Sequence, residues 1–212
     1  MAKAFGSLWN DWKENSETMI ATIRQRISDS IAVKQALLSE ATLLSQLDQL
    51  AQDCIDAFSQ GAKVIFAGNG GSFADAQHLS AEFTSRFLFE RSPLPSIALG
   101  TNSSAMSAIG NDYGYAHIFA RELRGIAKLG DVFIGLTTSG NSPNILAAIE
   151  AAQSLGLRTM AWTGQSGGAL NGLCECLKVP SPQTARIQEC HILIGHILCE
   201  LVESQLFIRG AQ

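Results

Sequence analysis

The chain has 212 residues, 46 % of them hydrophobic and 16 % charged, with a formal net charge of −4. A chain of this length buries about 70 % of its unfolded surface and reads as one domain that needs no staples. This composition excludes a disordered chain and a broad basic field for nucleic acid; no uninterrupted apolar run reaches the ~18 residues of a bilayer span, so no membrane role is expected.

Residues 1–60 read as a helical pair. Met19, Ile20, Ile23, Ile27 and Ile31 make one stripe at steps of three and four. Leu37, Leu38, Ala41, Leu44, Leu47, Leu50, Ala51, Cys54, Ile55 and Phe58 make a second. An αα-hairpin with two apolar faces and little core of its own is expected to pack on another subunit. Met1 to Asp11 lacks the apolar core of a signal peptide, which points to the cytoplasm.

After Gly61, short apolar runs alternate with helical patterns. Strands are expected at Lys63–Gly68, Pro95–Leu99, Asp131–Leu136, Thr159–Thr163 and Leu177–Pro180, the last at an edge because Pro180 cannot extend a central ladder. Helices are expected at Ser72–Phe89, Ser103–Ile109, His117–Leu129, Pro143–Leu155 and Thr184–Phe207. This alternation predicts an α/β fold: a doubly wound, parallel five-stranded sheet flanked by helices, with an N-terminal helical extension. Residues 1–212 form a single domain in this reading. Ligands in such sheets sit beyond the carboxyl ends of the strands.

Two strand exits carry the chemistry. Gly68-Asn69-Gly70-Gly71-Ser72 runs straight into a helix, whose free N–H groups and positive dipole end suit a phosphate. The same residues also fit a tight turn with Ser72 as N-cap. Thr137-Thr138-Ser139-Gly140-Asn141-Ser142-Pro143 offers four hydroxyls ahead of a helix that starts at Pro143. It fits a phosphate cradle or a capped polar turn. His78 and Glu82 are four apart on one helix face, and Gln188 and His196 share a face of the terminal helix. His191 lies on the opposite side and reads as structural. The five cysteines, an odd number without an export signal, read as reduced and mostly buried thiols.

These residues together resemble one family. Gly-Asn-Gly-Gly-Ser at 68–72, Asp75-Ala76-Gln77-His78-Leu79-Ser80-Ala81-Glu82 with Arg86, Gly110-Asn111-Asp112-Tyr113-Gly114, Thr137 to Ser142, and Thr184-Ala185-Arg186-Ile187-Gln188-Glu189 are similar to the sedoheptulose-7-phosphate isomerases (phosphoheptose isomerases) of the sugar-isomerase (SIS) superfamily. The resemblance implies a SIS fold and conversion of a ketoheptose 7-phosphate to D-glycero-D-manno-heptose 7-phosphate through an enediol. That is the first step towards activated heptose for bacterial surface glycans such as the lipopolysaccharide core. It implies a cytoplasmic homotetramer and a sugar-phosphate substrate. It also implies one zinc per subunit, held by His78, Glu82, Gln188 and His196. Substrate contacts fall on Asn69, Gly70, Gly71, Ser72, Glu82, Asn111, Asp112, Thr137, Thr138, Ser139, Ser142 and Gln188, with Arg86 reaching across a subunit boundary. The catalytic pair implied is Glu82 as base and His196 as acid or proton shuttle.

The chain departs from the family at three places: Thr137 stands for a frequent Ser, Ala185 where some members carry Asp, and Ala81 where some carry an acid. The alternative is the related DnaA initiator-associating protein, a non-enzymatic binding factor that resembles this chain at Ala-Arg-Ile-Gln-Glu and the C-terminal Leu-Phe. Glu82 and His196 favour the enzyme. A sugar-phosphate-sensing regulator would need a basic recognition helix, which the first 60 residues lack.

Overall fold

The computed structural model describes residues 2–208, with side chains for 18–207. Five parallel strands form one sheet: β1 (Val64–Gly68), β2 (Ser96–Ala98), β3 (Val132–Leu136), β4 (Arg158–Gly164) and β5 (Glu175–Val179). Their order is β2–β1–β3–β4–β5. The strands are apolar throughout because both faces of the sheet are covered. Phe66, Ile134 and Trp162 enter the core on one face, whereas Ile65, Phe133 and Ala161 enter the core on the other. β5 lies at an edge, and Pro180 falls just beyond it.

One face is covered by α2 (Ala41–Ser59), α3 (Gly71–Thr84) and α7 (Thr184–Glu203). The other carries α4 (Ser103–Tyr113), α5 (Ile118–Ile126) and α6 (Pro143–Ser154). The doubly wound expectation is therefore met. By length and composition the segment Thr184–Phe207 passes for a membrane span, but here it is a core helix, with Ile187, Ile194 and Leu198 fully packed under the sheet.

The N-terminal pair differs from the expected hairpin. α1 (Ala2–Ser39) bends into α2 at Glu40 and lies against α7 more than against α2. Arg186 donates to the Arg26 carbonyl, and Ser30 donates to Glu189. The stripe Met19, Ile20, Ile23, Ile27 and Ile31 stays about half exposed, at 49–60 %. On α2 the buried stripe runs through Leu43, Leu47, Leu50, Ala51, Cys54, Ala57 and Phe58, while Leu44, and Leu38 at the end of α1, face solvent. Leu43 and Leu44 both satisfy a three- or four-residue step, so spacing alone does not fix the phase.

Several helix ends differ from the expected ones, among them that of α7, which gives way at Glu203 to a π-helical turn over Ser204–Ile208. α3 stops at Thr84 instead of Phe89, and α4 continues past Ile109 to Tyr113. α5 ends at Ile126, three residues before Leu129, and its start at His117 is a 3₁₀ turn over Tyr115–His117. The early end of α3 has a tertiary cause. Arg91 binds the carbonyls of Glu82, Phe83 and Ser85, taking over the acceptors at the helix end.

Candidate active site

The chain leaves β1 toward β2 on one side and returns to β3 on the other. The crevice of such a sheet opens where that reversal occurs, beyond the carboxyl ends of β1 and β3. Both exits singled out in the sequence lie there. They are tied by a reciprocal amide pair: Asn69 Nδ2 donates to Asn144 Oδ1 at 2.8 Å, and Asn144 Nδ2 returns the bond at 2.8 Å. The Tyr115 hydroxyl also donates to Asn69 Oδ1, at 3.3 Å. Asn144 is buried, so this pair fixes the distance between the two loops.

In the first loop Gly70 has φ +55° and ψ −120°, a conformation that needs glycine, and it takes the N-cap position. Ser72, the cap in the tight-turn alternative, lies inside α3 and is buried. Phe73 and Ala74 bond back to Gly70 O, so the amides of Gly71 and Ser72 stand ahead of the helical ladder. The Gln188 amide packs on Gly71 so closely that a Cβ there would sit 2.7 Å from Nε2. In the second loop the Thr137 and Ser142 hydroxyls are 3.0 Å apart, and Ser142, at the N-cap of α6, caps through no side-chain bond. Asn141 N donates to Ser139 Oγ. The segment after β4 braces this loop: Gly164 N donates to Thr138 O, and Ala169 N to Asn141 Oδ1. Two helix N-termini with hydroxyls in front thus face one crevice.

Beside it, α3 and α7 bring together His78, Glu82 and His196. His78 Nε2 is 3.0 Å from His196 Nε2 and 3.1 Å from Glu82 Oε1, and one ligand atom from each residue lies within 4.8 Å of the others. Ligands of a tetrahedral zinc at ~2.0–2.1 Å stand about 3.3 Å apart, within a few tenths of the two spacings that His78 makes. The donor set fits the ion. Such an approach needs close helices, and Gly195 supplies it. A Cβ at Gly195 would come within 3.0 Å of three Leu79 side-chain carbons. The residues next to that contact are His196 and His78.

Three expected contact residues are exposed. Arg86 is exposed on the loop after α3, 3.8 Å from Glu90. Asn111 and Asp112 are exposed near the end of α4 and bond to each other at 2.9 Å. His191 is fully buried against the Thr163 carbonyl, and burial lowers its pKa to about 4, so it stays neutral and inert near neutral pH. All five cysteines are free, and burial raises the Cys54 and Cys199 thiols. The sequence reading missed Asn144, Tyr115 and Gly195. Asp75 has its Oδ2 buried without a hydrogen-bond partner, and burial raises its pKa against the opposing pull of His78. A glycine inside an apolar helix was the one signal available for Gly195.

A parallel sheet of this order, with hydroxyl- and glycine-rich loops at its reversal point, places two helix N-termini where such folds bind anions, and the SIS-domain family model matches residues 27–164. The phosphoheptose isomerase of Aneurinibacillus thermoaerophilus is 50 % identical over 87 % of this chain and 94 % of its own length. Phosphoheptose isomerase 2 of Campylobacter jejuni is 49 % identical over 92 % of this chain and 97 % of its own. The structure of phosphoheptose isomerase from Neisseria gonorrhoeae superposes with a TM-score of 0.82 at 37 % identity, covering 88 % of this chain and 99 % of that one. The chain belongs to the phosphoheptose isomerase family of SIS-domain proteins.

Proposed function

We infer that this chain is an aldose–ketose isomerase that interconverts sedoheptulose 7-phosphate and D-glycero-D-manno-heptose 7-phosphate. The observation that carries this reading is the convergence of His78, Glu82 and His196 beside two anion-suited loops, in a chain half identical to named phosphoheptose isomerases. The relatives above lend no support to the initiator-associating alternative.

The free amides of Gly71 and Ser72 and the hydroxyls of Thr137, Thr138, Ser139 and Ser142 hold the phosphate. Asn69, Gly70 and Gln188 line the crevice between phosphate and reacting carbons, and Asn111, Asp112 and Arg86 complete the site from α4 and across a subunit boundary. Glu82 takes a proton from C1 of the ketose and returns it to C2, while His196 carries the O1 proton to O2. The sum is an isomerisation with no net proton change. His78, Glu82, His196 and Gln188 hold one zinc ion, which when bound supplies Lewis acidity toward the sugar oxygens. The half-exposed row Met19, Ile20, Ile23, Ile27 and Ile31 supports assembly through α1, as a homotetramer. The product feeds activated heptose synthesis for surface glycans, in the cytoplasm.

Turnover of sedoheptulose 7-phosphate by the zinc-supplied protein tests the activity. The cradle is tested by a Ser139→Ala/Ser142→Ala variant. Each hydroxyl lost from a charged partner costs about 1.5–3 kcal/mol, so KM rises by about 10²-fold or more while kcat changes little. Unchanged calorimetric binding of inorganic phosphate to that variant would place the phosphate elsewhere.

A further inference from the structure

The loop that follows α3 is held by a charge pair with no access to water. The Arg91 and Glu203 side chains are 1 % and 0 % exposed, and their Nε–Oε1 distance is 2.9 Å. Glu203 also accepts from the backbone N–H of Phe87 at 2.9 Å and of Leu88 at 2.7 Å. Arg91 spends its remaining donors on carbonyls: Glu82 at 2.8 Å, Phe83 at 2.8 Å, Ser85 at 3.1 Å and Ser92 at 3.0 Å. Burying two ions is expensive, and a well-packed apolar pair serves stability as well or better. What the ion pair provides is direction: apart from the bond that joins the two side chains, their hydrogen bonds end on named backbone atoms.

Those atoms lead to the cluster on α3 and α7. One Arg91 bond goes to the carbonyl of Glu82 itself. Glu203 is seven residues beyond His196 on α7, about two turns, and so shares its face. Phe87, whose N–H is held by Glu203, lays its ring 5.6 Å from the His196 ring at 34°. His78 lies on His196 as well, with centroids 5.1 Å apart. The His196 imidazole therefore sits between His78 and an aromatic wall whose backbone is anchored by a buried carboxylate.

We propose that Phe87, anchored by the Arg91–Glu203 pair, is a positioning residue that sets the ring orientation of His196. The proposal rests on the reading of His78, Glu82 and His196 as a metal-binding cluster. The Phe87 ring limits rotation of the imidazole about its own bond, which keeps Nε2 turned toward His78 and Glu82. Residues that orient metal-binding side chains typically carry 10–100-fold of affinity.

The experiment titrates zinc against a chromogenic chelator in wild type, Phe87→Leu, Phe87→Tyr and Glu203→Gln, with melting temperatures recorded alongside. Phe87→Leu is expected to weaken zinc binding about 10-fold and to lower kcat more than it raises KM. Phe87→Tyr, which keeps the ring, is expected to restore both. Glu203→Gln leaves Arg91 unpaired and is expected to lose stability and zinc affinity together; Phe87→Leu keeps the test decisive should that variant not fold. Wild-type zinc affinity in Phe87→Leu overturns the proposal. Failure of wild type itself to bind zinc overturns the cluster reading on which the proposal stands, and the two outcomes are distinct.

Discussion

The Glu82→Gln variant is expected to lose about 10²–10⁴-fold in turnover, the usual loss on removal of a general base. The amide keeps the shape of the carboxylate but neither its basicity nor its charge. Glu82 Oε1 stands 3.1 Å from His78 Nε2, so the same change also weakens the three-residue cluster for a cation. The backbone bond that Arg91 makes to Glu82 does not involve the side chain, so the fold is retained. The predicted profile is a folded variant with wild-type melting temperature, unchanged affinity for inorganic phosphate, weakened zinc binding and almost no isomerisation. Full activity in this variant would remove Glu82 as the base and move that role to His196.

Gly195→Val is expected to separate the two halves of the cluster. The added carbons collide with the Leu79 side chain, which is 0 % exposed and already within 3.0 Å of a bare Cβ at three of its carbons. Overpacking of this kind costs about 1–3 kcal/mol. For a chain of this size the upper figure lowers the melting temperature by roughly 6–12 °C. As α7 shifts away from α3, the 3.0 Å approach of His78 and His196 is lost, and zinc affinity is expected to fall by more than 10-fold. Shortening Leu79 to Ala in the same chain is expected to recover part of both, because the two residues are in contact and their effects are not additive. A Gly195→Val protein with wild-type stability and zinc affinity would show that the close approach is not what builds the site.

Much of this was legible in the sequence, for reasons that are local. The five strands announced themselves because a buried parallel strand is an apolar run ended by glycine or a polar turn, and Pro180 marked the edge. The loops at 68–72 and 137–143 were readable because backbone flexibility and hydroxyls concentrate there. His78 and Glu82 were readable as a pair because four residues on a helix bring side chains together. What was hidden depends on contacts between distant segments. Leu43 and Leu44 fit the same spacing, and only packing of α2 into the core selects Leu43. α3 ends early because Arg91 takes its last carbonyls while paired with Glu203, 112 residues away. The bond between Asn69 and Asn144 spans 75 residues and has no pattern in the sequence. The approach of α3 to α7 rests on one glycine.

The most direct test of the account incubates the zinc-supplied protein with sedoheptulose 7-phosphate in deuterated water and follows the sugar by proton NMR. Proton transfer through an enediol predicts that anomeric signals of an aldoheptose 7-phosphate appear and that deuterium enters at C2 of the product. A protein that binds the sugar phosphate and zinc yet yields neither aldose signals nor deuterium at C1 or C2 would contradict it.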